Sequence, residues 1–335
     1  MSSKIKFKEN PVVKYFSKYL GVYAFLVVII VFMTVVSDKF LTTSNIINVL
    51  RQISVNAIIA FGMTYCILLG GIDLSVGAVI CLSGVLTAKI ISGGGDIYIA
   101  MLAGVAVGVI SGAFNGILIS NTGIAAFVIT FCSQSICNGL AYVLTKGSPI
   151  TCNEDSFTFF GNGYISFIPV PVVIMLIVFL LVLFLLTKTV FGKYVYAIGG
   201  NRDCAVYAGI NTKKVETLAY VLSGTLAGLA GVILAARMYS GQPNAGDGYE
   251  LNAIAATVIG GTSMTGGIGS VAGTILGALI IGIMNNGLNL MKAQYYYQTI
   301  AKGVVILVAV LFDTYKRKLE AKRQLEAAAN AGKES

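Results

Sequence analysis

The chain has 335 residues, of which 56% are apolar and only 11% charged. An ordinary soluble protein carries roughly 25% charged residues, so this chain lacks the polar groups to cover a water-facing surface, and a soluble fold is excluded. The net charge of +9 is distributed along the chain in a way that points to a membrane, not to a nucleic acid.

Residues 1–19 form a basic leader holding Lys4, Lys6, Lys8, Lys14 and Lys18. Ten apolar stretches follow, at about 20–37, 54–70, 76–93, 98–120, 124–145, 165–187, 217–236, 252–269, 272–290 and 297–313. Each approaches the ~20 residues that a helix needs to cross a bilayer. The expected fold is therefore an all-α polytopic membrane protein of about ten transmembrane helices, its membrane domain spanning 20–313. A transmembrane β-barrel would show short alternating segments instead. Ser37-Asp38-Lys39 offers no small-x-small cleavage site, so the first span is expected to remain as an anchor. The longest polar break, 188–216, separates spans six and seven. The tail 314–335 reads as a helix, with Lys322 and Glu326 at i,i+4 spacing.

The leader, the 188–216 break and the tail together hold 16 of the 23 basic residues. The positive-inside rule makes that face cytoplasmic. An even span number places both termini there, and the asymmetry accounts for the net charge, so no nucleic-acid partner is expected. Two glycine-rich kinks, Gly70-Gly71-Ile72-Asp73-Leu74-Ser75 and the run from Gly260 to Ser270, each lie between apolar spans and precede an Asn-Gly pair. Pairing spans two and three with eight and nine is the pattern of an inverted-topology repeat.

There is no His, which removes the commonest general base and metal ligand. Cys66, Cys81, Cys132, Cys137, Cys152 and Cys204 have no metal-type spacing and read as free thiols; no metal site is expected. Asp73 and Ser75 precede an apolar run and read as a helix cap. Mid-span carboxylates, usual in ion-driven carriers, are missing, and Lys302 can snorkel from the tenth span to the outer interface. Neutral amides occupy the spans instead: Asn115, Gln134, Asn138, Asn285, Asn286 and Asn289. They can donate and accept hydrogen bonds and suit an uncharged, hydroxyl-rich solute, so they are the candidate translocation path; the bland alternative is interhelical glue. Tyr295, Tyr296 and Tyr297 fit an outer aromatic belt. In the cytoplasmic break, Gly199-Gly200-Asn201 reads as a capping turn, Arg202 to Ala208 as a short helix and Gly209 as its stop. A short helix held between two long spans is a candidate docking knob for a soluble partner, the alternative being an ordinary surface loop.

Several longer motifs stand in order: Arg51-Gln-x-Ser-Val-Asn-Ala-Ile-Ile-Ala, Gly71-Ile-Asp-Leu-Ser-Val-Gly, Ala197-Ile-Gly-Gly-Asn, Ser223-Gly-x-x-Ala-Gly-Leu-Ala-Gly, Tyr249-Glu-Leu-Asn-Ala-Ile-Ala-Ala and Asn285-Asn-Gly-Leu-Asn-Leu. Over roughly 45–313 the chain resembles the permease subunits of bacterial ABC importers for monosaccharides. The Tyr296-Tyr297-Gln298 run looks like the ribose branch, while Lys292 departs from the uncharged outer turn expected there. The resemblance implies two permease copies, identical or not, in the cytoplasmic (inner) membrane. It implies an external sugar-binding protein and a separate cytoplasmic ATPase that uses ATP and Mg, with no cofactor bound by this chain. The ATPase would dock on a coupling helix comprising Gly200, Asn201, Arg202, Ala205, Gly209 and Ile210. The binding protein would meet the outer cations Arg51, Lys146 and Arg237, which suit acidic docking lobes. No Walker-type G-x-x-x-x-G-K-[ST] run is present, so the chain reads as a transport subunit and not an enzyme. The competing readings are a stand-alone secondary carrier or facilitator and, more remotely, an intramembrane enzyme.

Overall fold

The computed structural model describes residues 20–294 and 296–315, leaving out 302, 306, 309, 312 and 313. The basic leader, Tyr295, Lys302 and the tail beyond 315, with its Lys322–Glu326 pair, lie outside the described residues. Apolar runs become helices in the expected order: α1 (Leu20–Val36), α2 (Thr43–Leu68), α3 (Val76–Ser92), α4 (Ile97–Thr122) and α5 (Ala126–Thr145). A short strand β1 (Ile150–Thr151), the helix α6 (Asp155–Asn162) and the hairpin β2 (Tyr164–Ile165) with β3 (Ile168–Pro169) lead to α7 (Val170–Lys188). Then come α8 (Val190–Gly200), α9 (Arg202–Tyr207), α10 (Thr212–Met238), β4 (Ser240–Gly241), α11 (Tyr249–Ile259) and α12 (Val271–Leu290). The described residues between 296 and 315 are helical as well. Six of these helices, α2, α4, α5, α7, α10 and α12, are long and apolar enough to cross a membrane. Lys188, Lys193, Arg202, Lys213 and Lys214 mark one end of the bundle as its basic end.

At the centre lies α2, buried almost without a break from Ile53 to Leu68. Tyr65 donates to the Val182 carbonyl of α7 at 2.7 Å, and Phe61 meets Phe179 with ring centres 5.6 Å apart. By contrast α1, α4, α5 and α7 leave apolar side chains bare, among them Val35, Leu102, Val143 and Leu180, as a lipid-facing rim requires. The tightest helix pair is α4 on α10. Gly104, Gly108, Gly112 and Gly116 recur every four residues and so share one face of α4. A side chain on Gly108 would overlap the Gly224 carbonyl, and one on Gly112 the Tyr220 carbonyl. Backbone touches backbone, the close approach that small residues allow between membrane helices.

Two expectations are corrected. Span eight, read over 252–269, is a half-helix: α11 has 11 residues, about 16 Å at 1.5 Å per residue against a ~30 Å hydrocarbon core. Positive φ at Gly261 (87°), Gly266 (87°) and Gly267 (74°) breaks the helix after Ile259. The chain reaches α11 by a re-entrant path. After pairing with β1, the segment runs along α3 from Gly241, which packs on Gly84 and Ala88, to Gly246, whose N–H donates to Cys81 Sγ at 3.0 Å. Ser83, half a turn further along α3 than Cys81, bonds Gly228 of α10, so α11 begins near the middle of the bundle.

The inverted repeat between the two glycine kinks does not hold. Thr257 of α11 donates to the Ala60 carbonyl of α2, and Gly267 N–H to the Leu68 carbonyl at 2.9 Å. Advancing along one segment advances along the other, so α2 and α11 run in the same direction. Both glycine turns lie at the basic end, which also follows from their both being even-numbered spans. All six cysteines are free, and no cluster with metal-ligand composition occurs among the described residues.

Candidate functional site

At the basic end the break 188–216 folds into a compact knob. Thr189 caps α8, its hydroxyl accepting from Gly192 N–H at 3.3 Å. The Asn201 side chain accepts from Cys204 N–H at 2.9 Å and starts α9. Ile210 N–H returns to the Ala205 carbonyl at 3.0 Å around Gly209, whose φ of 79° only glycine adopts without strain. Gly200, Asn201, Arg202, Ala205, Gly209 and Ile210 are thus brought together as one element. Ala205 is its buried anchor, while Tyr207, 90% exposed, and Val206 stand bare beside it.

Two features of the knob were invisible in the sequence. Gly200 closes helix α8 instead of belonging to a turn, and α8 seats on both glycine kinks. A side chain on Gly199 would overlap the Leu68 carbonyl and press on Gly267; Tyr196 donates to the Gly269 carbonyl at 2.8 Å. The second is Glu216 of α10, which takes Arg202 in a two-point pair of 2.8 and 3.2 Å. Its hydrogen bond and charge raise the Arg202 guanidinium above its ordinary range. A pair 14 residues apart across a loop has no periodic signature.

The six path amides do not converge. Asn115 donates to Ser75 Oγ at 2.9 Å; Ser75 Oγ and N–H and the Ser223 hydroxyl all bond the fully buried Asp73 carboxylate, at 2.6, 3.1 and 2.8 Å. Asp73 does not cap α3, which has no side-chain cap; it ties the α2–α3 turn to α10. Asn286 pairs with Asn45 through both amides, at 3.0 and 2.8 Å. Asn289 is exposed and accepts from Gln298 at 2.8 Å. Gln134 and Asn138 lie half-buried on α5. The side-chain carbonyls of Asn138 and Asn285 have no partner, and neither do those of Asn56 and Asn252, which the sequence reading passed over. Replacing Asn286 by Ala removes the α2–α12 clasp; a loss of about 1 kcal/mol, or about 2–4 °C in melting midpoint, is expected in differential scanning fluorimetry.

The three cations read as outer docking residues all lie at the end opposite the knob. Arg51 is half-buried, donates to the Asn162 carbonyl at 2.6 Å and lies 4.8 Å over the Tyr164 ring. Arg237 is half-buried against Gly161 of α6, and Lys146 is exposed after α5.

A family model described as "Branched-chain amino acid transport system / permease component" matches residues 45–310, from the start of α2 into the last helix. The chain belongs to that family. Relatives from several bacteria align with most of the chain. The ribose import permease protein of Bacillus subtilis is 46% identical over 299 residues, 89% of this chain and 93% of the relative. The D-allose transport system permease protein of Escherichia coli is 40% identical over 300 residues, 89% and 92% of the two chains. The L-arabinose ABC transporter permease protein of Azospirillum brasilense is 36% identical over 297 residues, 89% and 88%. No solved structure matches the chain. As a member of this permease-component family with six long apolar helices, the protein is a multi-pass, non-enzymatic transport subunit of the cytoplasmic membrane.

Proposed function

We propose that the chain is the membrane subunit of an ATP-driven, binding-protein-dependent monosaccharide importer, with ribose as the solute. The observation that carries this is the end-to-end match to the ribose import permease protein at 46% identity. The amides and hydroxyls inside the bundle support it: they match sugar hydroxyls, which both donate and accept. Two copies form the pathway. An ATPase that binds ATP and Mg docks on α9, where Tyr207 and Val206 are exposed, and its closure pushes the knob against α10 and the glycine turns. An external sugar-binding protein delivers solute at the opposite end. Asn138, Asn285, Asn56 and Asn252, whose carbonyl oxygens lack partners, are the first path residues to substitute.

The test is uptake of labelled ribose by vesicles holding the chain with its ATPase and binding protein. Uptake is expected only with all three components and lumenal ATP. Uptake by the chain alone would overturn the reading in favour of a facilitator. Uptake of leucine in place of ribose would replace the solute by the one the family description names.

Two variants probe the docking ends. Glu216→Ala frees Arg202 from its only ion pair among the described residues. A part-exposed pair of this kind contributes about 1 kcal/mol, so ATP-driven uptake is expected to fall about fivefold, and Arg202→Glu with Glu216→Arg to restore it. Lys146→Glu is expected to raise the half-saturating concentration of binding protein, and to do so less at high salt. Lys146 is the cleanest of the three outer cations, because Arg51 and Arg237 also hold the outer end together.

A further inference from the structure

Beneath the knob lies an open cavity of about 310 Å³. Its walls come from four places: Gly70 and Gly71 of the α2–α3 turn, Ile119 and Ile124 around the α4–α5 turn, Arg202 of α9, and Glu216 with Tyr220 of α10. The volume lies at the low end of the roughly 300–1,000 Å³ of small-molecule sites.

Three observations define what would fit. Arg202 and Glu216 neutralise each other through two hydrogen bonds, so the site carries no net charge for an anion. The pair still has capacity: a guanidinium has five N–H donors and a carboxylate about four acceptor positions. Finally, Tyr220 is 2% exposed and its hydroxyl has no hydrogen-bond partner. That hydroxyl lies against Gly71, where a side chain would overlap it. Mixed donors and acceptors above, an unpartnered hydroxyl at the floor and aliphatic walls from Ile119 and Ile124 describe a receptor for a small ring bearing hydroxyls on a C–H face.

We propose that this cavity binds a neutral, polyhydroxylated solute of monosaccharide size from the cytoplasmic side, and that occupancy slows import by holding α9 against α10. The regulatory half rests on the importer reading above; the binding half does not.

The binding half is tested on the purified chain without ATPase, titrated with ribose and observed by saturation-transfer NMR. Ribose is expected to bind at millimolar concentration. Tyr220→Phe, which removes the hydroxyl and keeps the ring, is expected to weaken it about three- to tenfold. Gly71→Ala, which sets a methyl group on the Tyr220 hydroxyl, is expected to abolish it. No binding to the unaltered chain, equal binding by both variants, or competition by inorganic phosphate would each overturn the site. The regulatory half is tested in vesicles of the complete importer preloaded with ATP and unlabelled ribose. Lumenal ribose is expected to slow uptake, and Tyr220→Phe to raise the ribose needed by the same three- to tenfold. Uptake that ignores lumenal ribose overturns the regulation alone. Absence of ATP-driven uptake from an empty lumen is instead a failure of the importer reading, and the titration of the isolated chain still decides the site.

Discussion

Replacing Gly108 with valine is expected to leave almost no folded protein after detergent extraction. The added side chain would overlap the Gly224 carbonyl and come within 2.9 Å of the Gly228 nitrogen. These are backbone atoms of a helix, so no rotamer change relieves the clash; α4 and α10 must separate. Ordinary overpacking costs about 1–3 kcal/mol. Here the loss adds the neighbouring contacts at Gly104, Gly112 and Gly116, which sit on the same face and lose their register together. The control is Gly139→Ala on α5, where nothing lies within 4 Å of the new Cβ. An unhindered helical Gly→Ala change is worth up to about 1 kcal/mol of added stability. Size-exclusion yield and melting midpoint, measured side by side, check the pair; equal behaviour would sink the packing argument.

Asp73→Ala is expected to be the most damaging substitution that creates no clash. The carboxylate accepts from Ser75 twice and from Ser223 once. Its removal strands two buried hydroxyls and a backbone N–H in the protein interior. Each stranded group costs about 1–3 kcal/mol, giving a loss of about 2–6 kcal/mol after partial repair by rotation of the serines. Asp73→Asn separates charge from shape. Its amide keeps an acceptor for Ser75 and can donate to the Ser223 oxygen, so most of the melting midpoint should return. Uptake is expected to stay reduced in Asp73→Asn, because Ser223 lies on the same helix as Glu216, the partner of the knob. Full recovery of both stability and uptake would make Asp73 a hydrogen-bonding post and nothing more.

The order and placement of most spans were legible because each apolar run is long and the basic residues report its direction. The knob was legible through Asn201 and Gly209, whose capping and left-handed roles are local. Span eight was misread because the apolar half of α11 and the Gly-, Ser- and Thr-rich run 260–270 were joined into one stretch, which the positive φ of Gly261, Gly266 and Gly267 breaks. Residues 240–248, with Gln242, Asn244 and Asp247, are polar, and only Gly241 and Gly246 packing on α3, a long-range fact, shows that this polar segment runs inward. The repeat failed for a simpler reason: the two glycine kinks sit between spans of the same parity. Among site residues, the Arg202–Glu216 pair and the Asp73–Ser223 bond join positions 14 and 150 apart, and no periodicity encodes either. The glycine stripe of α4 was present at four-residue spacing, yet its partner face on α10 could not be named without the fold.

Gly199, Leu68 and Gly267 meet through main chain alone. A side-chain interface can yield to a push by switching rotamers, so part of the stroke is dissipated. A contact of three peptide planes has no such slack, so under the coupling proposed above a displacement of the knob would pass to the ends of α2 and of the α11 turn with little loss. Anything larger than hydrogen at position 199 would act as a shim, holding the two turns apart at rest.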